Sequence, residues 1–213
     1  MMTLASIFDA DIVSTLSNAC AANVIVPEYP GYGDYHKKAR GVGDEADRAM
    51  YAHVHSVIDE LRQKGIRDIS IVARSIGTGI ALGALTSQQG SSHAVSNVAL
   101  ISPFTSVCDL APYGTQWLVP RRLDNLKHIQ ELPKHIRTLV VHGTEDTFVP
   151  FCQGRKLSDA RNDCSFVPIR GMAHAIDASQ FAQISRAVGA FIKSSRIQSD
   201  NATNITFDIF KPE

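Results

Sequence analysis

Ile69-Ser-Ile-Val-Ala-Arg-Ser-Ile-Gly-Thr-Gly-Ile-Ala-Leu82 changes its period midway. Ile69–Ala73 is a short apolar, β-branched run of the kind that forms a buried strand. From Arg74-Ser-Ile-Gly-Thr-Gly onward the apolar residues continue to about Gln88 in a helical pattern. A strand that enters a helix through a small-residue turn is the building unit of a parallel sheet covered by helices. The same turn suits a reactive serine. The Ser75 hydroxyl would stand above the sheet edge, with the helix N-terminus beneath any negative charge that develops there. Small residues two before and two after it, Ala73 and Gly77, keep strand and helix from colliding. The usual form is G-x-S-x-G, and Ala73 takes the first place here. A-x-S-x-G alone is common by chance; the strand before it and the helix after it lift it above that background.

Outward from this turn the alternation repeats. Ser6–Ala21 carries Phe8, Ile12, Leu16 and Ala19 at helical spacing, and a short strand follows at Asn23-Val-Ile-Val. Pro27-Glu-Tyr-Pro-Gly-Tyr-Gly then stops regular structure. Asp44–Lys64 has the clearest apolar stripe (Ala46, Met50, Val54, Val57, Ile58, Leu61), ended by Gly65. Val95–Ile101, Thr138–His142 and Ser165–Ile169 read as strands, and Pro150–Ala160 and Ala178–Ser194 as helices. The pattern predicts one α/β domain over residues 1–195 and a polar tail over 196–213 with one apolar patch, Phe207-Asp-Ile-Phe210. Between Thr105 and Leu132 the alternation breaks. This stretch, with Tyr113, Trp117, Leu118, Val119 and Pro120, is either a small cap over a pocket or a long connection packed on the core.

Composition narrows the partners. The chain has 213 residues, 44% hydrophobic and 20% charged, with a formal net charge of zero. Such a balance gives no basic footprint for nucleic acid or an anionic membrane. No segment approaches the ~20 apolar residues of a membrane span, and residues 1–10 lack the pattern of a signal peptide. Cys20, Cys108, Cys152 and Cys164 are scattered, without metal-type spacing, so the expectation is an intracellular, reducing setting with free thiols and no metal or cofactor.

A serine nucleophile needs a base, and the base an orienting acid. Of eight histidines, His174 stands out: Gly171-Met-Ala-His174 follows the last strand in a short loop. His53 and His55, two apart on the long helix, face different directions, and His142 ends a strand as a turn residue. Asp146, in His142-Gly-Thr-Glu-Asp146, lies just past a strand end, with Glu145 and Asp177 as the competing acids. Asp146 gives the chain order serine, acid, histidine, each after its own strand. Alone, Asp146 reads equally well as a helix cap; the three together in that order do not read as chance.

Four ordered motifs carry a resemblance: Glu28-Tyr-Pro-Gly-Tyr-Gly33, Arg74-Ser-Ile-Gly-Thr-Gly79, Ser102-Pro-Phe-Thr-Ser106 and His142-Gly-Thr-Glu-Asp-Thr-Phe-Val-Pro150. Over Ser6 to Ser194 the sequence resembles the α/β-hydrolase superfamily. It is most similar to an intracellular branch that includes enzymes resembling palmitoyl-protein thioesterases. The resemblance implies an α/β-hydrolase fold, a mostly parallel sheet with helices on both faces. It also implies Ser75 as nucleophile, Asp146 as acid, His174 as base and the Ile76 N–H as one oxyanion donor. Tyr32, Arg74, Phe104, Tyr113 and Trp117 are the candidate substrate-pocket residues. The substrate class implied is an acyl ester or thioester, including lipidated protein.

Members of that superfamily carry a His-Gly-Asn-type loop after a third strand, which supplies a second oxyanion N–H. This sequence starts where that loop would end, so the first strands and the loop are expected to be missing relative to a longer ancestor. The expected sheet then has an interior gap between Asn23–Val26 and Ile69–Ala73, unless those strands pair directly. Two other readings stand beside ester or thioester hydrolysis: a prolyl-oligopeptidase-like peptidase, and a hydrolase-fold protein kept for binding alone.

Overall fold

The central apolar runs send alternate side chains to opposite faces, so each strand must be covered on both sides. The computed structural model describes residues 10–29, 44–87, 92–112, 114–196 and 204–209. Its strands are β1 (Asn23–Ile25), β2 (Asp68–Arg74), β3 (Val95–Ile101), β4 (Arg137–Gly143), β5 (Cys164–Ile169) and β6 (Asn204–Ile209). They form one sheet in the order β1-β6-β2-β3-β4-β5, and each pairing is parallel. The described helices are α1 (Ala10–Cys20), α2 (Asp44–Gln63), α3 (Ile76–Ser87), α4 (Asn125–Glu131), α5 (Phe151–Asp159) and α6 (Ala178–Arg196).

The alternation shows directly in the two halves of the core. Ile69, Ile71 and Ala73 of β2, with Val98 and Leu100 of β3 and Val140 of β4, pack against Val54, Ile58 and Leu61 of α2 and the apolar body of α3. Val72, Ala99, Ile101, Leu139 and Val141 point the other way, onto Leu16 of α1 and Phe181, Ile184 and Val188 of α6. On this second face a buried polar pair is joined, Asn97 Nδ2 donating to Ser70 Oγ at 3.0 Å. Helix α2 ends as its sequence predicts. Gly65 has φ +85°, its N–H meets Arg62 C=O at 2.9 Å, and the Ile66 N–H meets Leu61 C=O at 3.0 Å. That 6→1 and 5→2 pair is the Schellman arrangement.

The chain's end corrects two expectations. Residues read as a tail contribute β6, which lies between β1 and β2 and pairs with both. Its register runs from Asn23↔Ile205 to Ile25↔Phe207 on one side and from Asp68↔Asn204 to Ala73↔Ile209 on the other. There is therefore no interior gap, and β1 and β2 do not pair directly. Ile205, Phe207 and Ile209 alternate with polar residues, a strand period that an average over a polar segment conceals.

The 105–132 stretch contains a helix that the sequence reading leaves out. Asp124 caps α4, its carboxylate accepting the Lys127 N–H at 3.2 Å. Seven residues with Ile129 as a buried apolar anchor are too few to display a helical stripe. Two 3₁₀ turns, Val107–Leu110 and Gln116–Leu118, precede it. Arg122 fastens the stretch to α2 through a two-pronged ion pair with the buried Asp47, at 3.0 and 2.5 Å.

Candidate active site

Parallel strands end at one edge of the sheet, and side chains that follow them converge there. Ser75 follows β2 with φ +50°, a left-handed conformation that costs a non-glycine residue about 1–3 kcal/mol. The surrounding bonds hold it. The Ser75 N–H donates to Ile101 C=O on β3 at 2.9 Å. Its own C=O accepts from the Thr78 N–H at 3.0 Å and the Thr78 hydroxyl at 2.6 Å. Ile76 opens α3, so its N–H belongs to the first turn, where helical N–H groups have no intrahelical acceptor.

Asp146 lies in the loop after β4 and is buried with His174. One carboxylate oxygen accepts the Phe148 N–H at 3.1 Å and the Val149 N–H at 2.8 Å. The other accepts from His174 Nδ1 at 2.8 Å. A carboxylate only accepts, so Nδ1 carries the proton and Nε2 is left with its lone pair. Ser75 Oγ lies 3.0 Å from that Nε2, and its hydroxyl is then the donor. The three side chains form one continuous hydrogen-bonded chain, serine to histidine to aspartate.

Burial alone would raise the Asp146 pKa. The His174 hydrogen bond, the Val149 N–H and the charge attraction of His174 outweigh it and bring the carboxyl below its ordinary range. The nearby Ser102 hydroxyl adds weakly in the same direction, although it has no hydrogen-bond partner of proper geometry. His142 stands on the other side of the acid, its Nε2 3.7 Å from the Asp146 carboxylate. Burial drives its pKa down, so it is a neutral ring that donates to Val149 C=O at 2.9 Å. It thereby supports the turn whose N–H groups hold Asp146.

The loops that carry Asp146 and His174 are tied together. Glu145 N–H donates to Met172 C=O at 3.1 Å, and Gly171 N–H donates to the Thr144 hydroxyl at 2.9 Å. The approach is close enough that a Cβ at Gly143 would lie 2.1 Å from Met172 O, so only glycine fits there.

The candidate pocket residues fare differently. Tyr32 and Tyr113 lie outside the described residues. Phe104 is fully buried against Leu123 and Val149, with Ile76 alongside; it underlies the site and does not line an opening. Trp117 is 80% exposed on the second 3₁₀ turn, its indole N–H donating to Gly114 C=O, and forms no wall of an enclosed pocket. Arg74 is half-buried and donates a guanidinium N–H to the backbone carbonyl of His174. Sequence reasoning missed Phe148. It lies against the His174 ring with centroids 4.8 Å apart and planes tilted by 43°, and is 63% exposed, an apolar surface at the mouth of the site. The signal was its place two residues after Asp146, inside the turn whose N–H groups the acid accepts.

No protein-family model matches the sequence, and no curated protein is detectably similar to it. Solved structures do match. A meta-cleavage product hydrolase from Pseudomonas fluorescens superposes with a TM-score of 0.66 at 16% identity, over 85% of this chain and 84% of that one. A predicted CIB-like hydrolase from Thermoplasma acidophilum gives 0.61 at 18% identity, over 88% and 82%. The esterase domain of a Rhodothermus marinus protein gives 0.57 at 15% identity, over 88% and 81%. The chain has the α/β-hydrolase fold that these proteins share.

Proposed function

We propose that this protein is a serine hydrolase that cleaves acyl esters or thioesters through an acyl-enzyme. The observation that carries the reading is the unbroken chain Ser75 Oγ–His174 Nε2 at 3.0 Å and His174 Nδ1–Asp146 at 2.8 Å. Ser75 Oγ attacks the acyl carbonyl while His174 Nε2 takes its proton. Asp146 holds the tautomer that leaves Nε2 free and stabilises the imidazolium. The Ile76 N–H, at the start of α3, donates to the oxyanion. His174 then returns the proton to the leaving alcohol or thiol. Water, deprotonated by the same imidazole, attacks the acyl-enzyme and releases the acid. Phe148 beside His174 offers an apolar face to the acyl or leaving group, which favours S-acylated protein among the substrates.

The test is fluorophosphonate labelling of the chain, with Ser75→Ala as control. Labelling of the wild type that disappears in the variant is the expected result; an unlabelled wild type that melts cooperatively overturns the reading and leaves a binding role. p-Nitrophenyl esters of increasing chain length then set the substrate class. A preference for acetyl over longer chains removes the lipidated substrate, and cleavage of prolyl amides in place of esters makes the protein a peptidase.

A further inference from the structure

Arg74 occupies the position immediately before the nucleophile, and its side chain is half-buried. It crosses to the loop between β5 and α6 and donates to the backbone C=O of His174. Ser75, the next residue, bonds the ring of the same histidine at 3.0 Å. Two consecutive residues of one strained turn therefore hold the two ends of a single residue, its peptide and its imidazole.

The rest of that loop shows why this matters. Its early residues are anchored to the acid loop, through Gly171 N–H to Thr144 and Met172 C=O from Glu145. Gln180 of α6 donates to Gly171 C=O at 3.3 Å. Those anchors fix the distance from His174 to Asp146, since both loops leave neighbouring strands β4 and β5. They do not fix the distance to Ser75, which lies beyond β3 on β2. Arg74 spans that second distance. A guanidinium is suited to it: its donors sit in a rigid plane and it keeps its charge at every working pH. One of its N–H groups meets the His174 carbonyl and not the ring, so that contact orients the peptide and leaves the ring proton to Asp146.

We infer that Arg74 is a positioning residue for the base, locking the His174 backbone so that Nε2 stays within hydrogen-bond reach of Ser75 Oγ. This rests on the reading of Ser75 and His174 as nucleophile and base. It assigns Arg74 to the geometry of the base and not to substrate contact.

Arg74→Met keeps the apolar stem and removes the donors; Arg74→Lys keeps one charged donor. The Met variant is expected to label with a small fluorophosphonate on the order of 10²-fold more slowly, the loss associated with a displaced reacting group. For p-nitrophenyl esters kcat should fall while KM changes little. The Lys variant, and added guanidinium ion with the Met variant, should each restore part of the rate. A rise in KM with kcat unchanged, or a loss that neither guanidinium nor lysine repairs, overturns the inference. If the wild type fails to label, a proton NMR measurement decides it independently. The His174 Nδ1 proton shared with Asp146 should give a downfield resonance in the wild type and in Arg74→Lys that broadens or vanishes in Arg74→Met. An identical resonance in all three rejects the positioning role.

Discussion

Ser75 follows β2 and Ser102 follows β3, and the two backbones leave the sheet alike, with φ +50° and +46°. Each N–H reaches across to the next strand, Ser75 to Ile101 C=O and Ser102 to Val141 C=O, both at 2.9 Å. Arg74 and Ile101, the residues before them, are partners in the β2–β3 register. Beyond that point the two diverge. Ser75 is followed by Ile76 and Gly77, which start a helix; Ser102 is followed by Pro103, and helical structure resumes only at the 3₁₀ turn from Val107. The Ser75 hydroxyl meets His174, whereas Ser102 is fully buried with a hydroxyl that has no properly placed partner. The left-handed turn is thus a property of the strand tips. What separates the two serines is the imidazole within reach of Ser75 and the helix N-terminus under it.

Removing the orienting acid is the strongest way to test that distinction. Asp146→Asn should leave the fold intact and lower kcat by about 10⁴-fold, because an amide no longer enforces the tautomer with a free Nε2. The substitution also carries a signature in acid. The Asp146 pKa is lower in the folded chain than in the unfolded one. Its contribution to stability is therefore complete above the unfolded pKa of roughly 3.9. It is lost as pH falls below that value through the folded pKa. Thermal melts of the wild type should fall more steeply on acidification there than those of Asp146→Asn. Parallel pH profiles would show that Asp146 is not held as a charged acceptor, and the two strand tips would lose their difference.

A smaller effect should come from the neighbour that β2 has and β3 lacks. β3 lies between β2 and β4, while the far side of β2 is paired by β6 from the end of the chain. Thr206 is opposite Val24 on one side and Ser70 on the other. A proline at an interior strand position cannot complete the ladder, whereas β5, at the sheet edge, already contains Pro168. Thr206→Pro is expected to lower Tm by on the order of 10 °C and to reduce Ser75 labelling in step. An unchanged melt would mean that the β2 tip holds its conformation without β6.

The legible part of this molecule was whatever repeats a local pattern. The strand and helix around Ser75 announce themselves because Ile69–Ala73 alternates between two covered faces and Gly77 and Gly79 follow. His174 and Asp146 were legible because each lies just past a strand, in a chain order that only a parallel sheet brings together. Illegible features depend on contacts between distant segments. β6 is a strand because β1 and β2 leave backbone groups to pair, and nothing within Asn204–Ile209 states which strands those are. Arg74 looks like any variable residue of the turn until the fold sets the His174 carbonyl 100 positions later beside it. α4 is too short to show a period, and its cap at Asp124 was the sole local sign.

The finest test bears on Ser102 itself. If its hydroxyl is only a buried group without a partner, Ser102→Ala deletes a desolvated donor and leaves the backbone cost unchanged, since alanine pays the same penalty at positive φ. The gain in stability should be up to about 1 kcal/mol, read as a slightly higher Tm. The weak support that the hydroxyl gives the Asp146 carboxylate should appear as a loss of no more than about twofold in kcat, the equivalent of a poorly aligned hydrogen bond. A tenfold loss would give a different result, because Ser102 would then act on the acid as the Phe148 and Val149 N–H groups do. The two strand tips would be halves of one device, with Ser75 attacking and Ser102 holding the acid that orients its base.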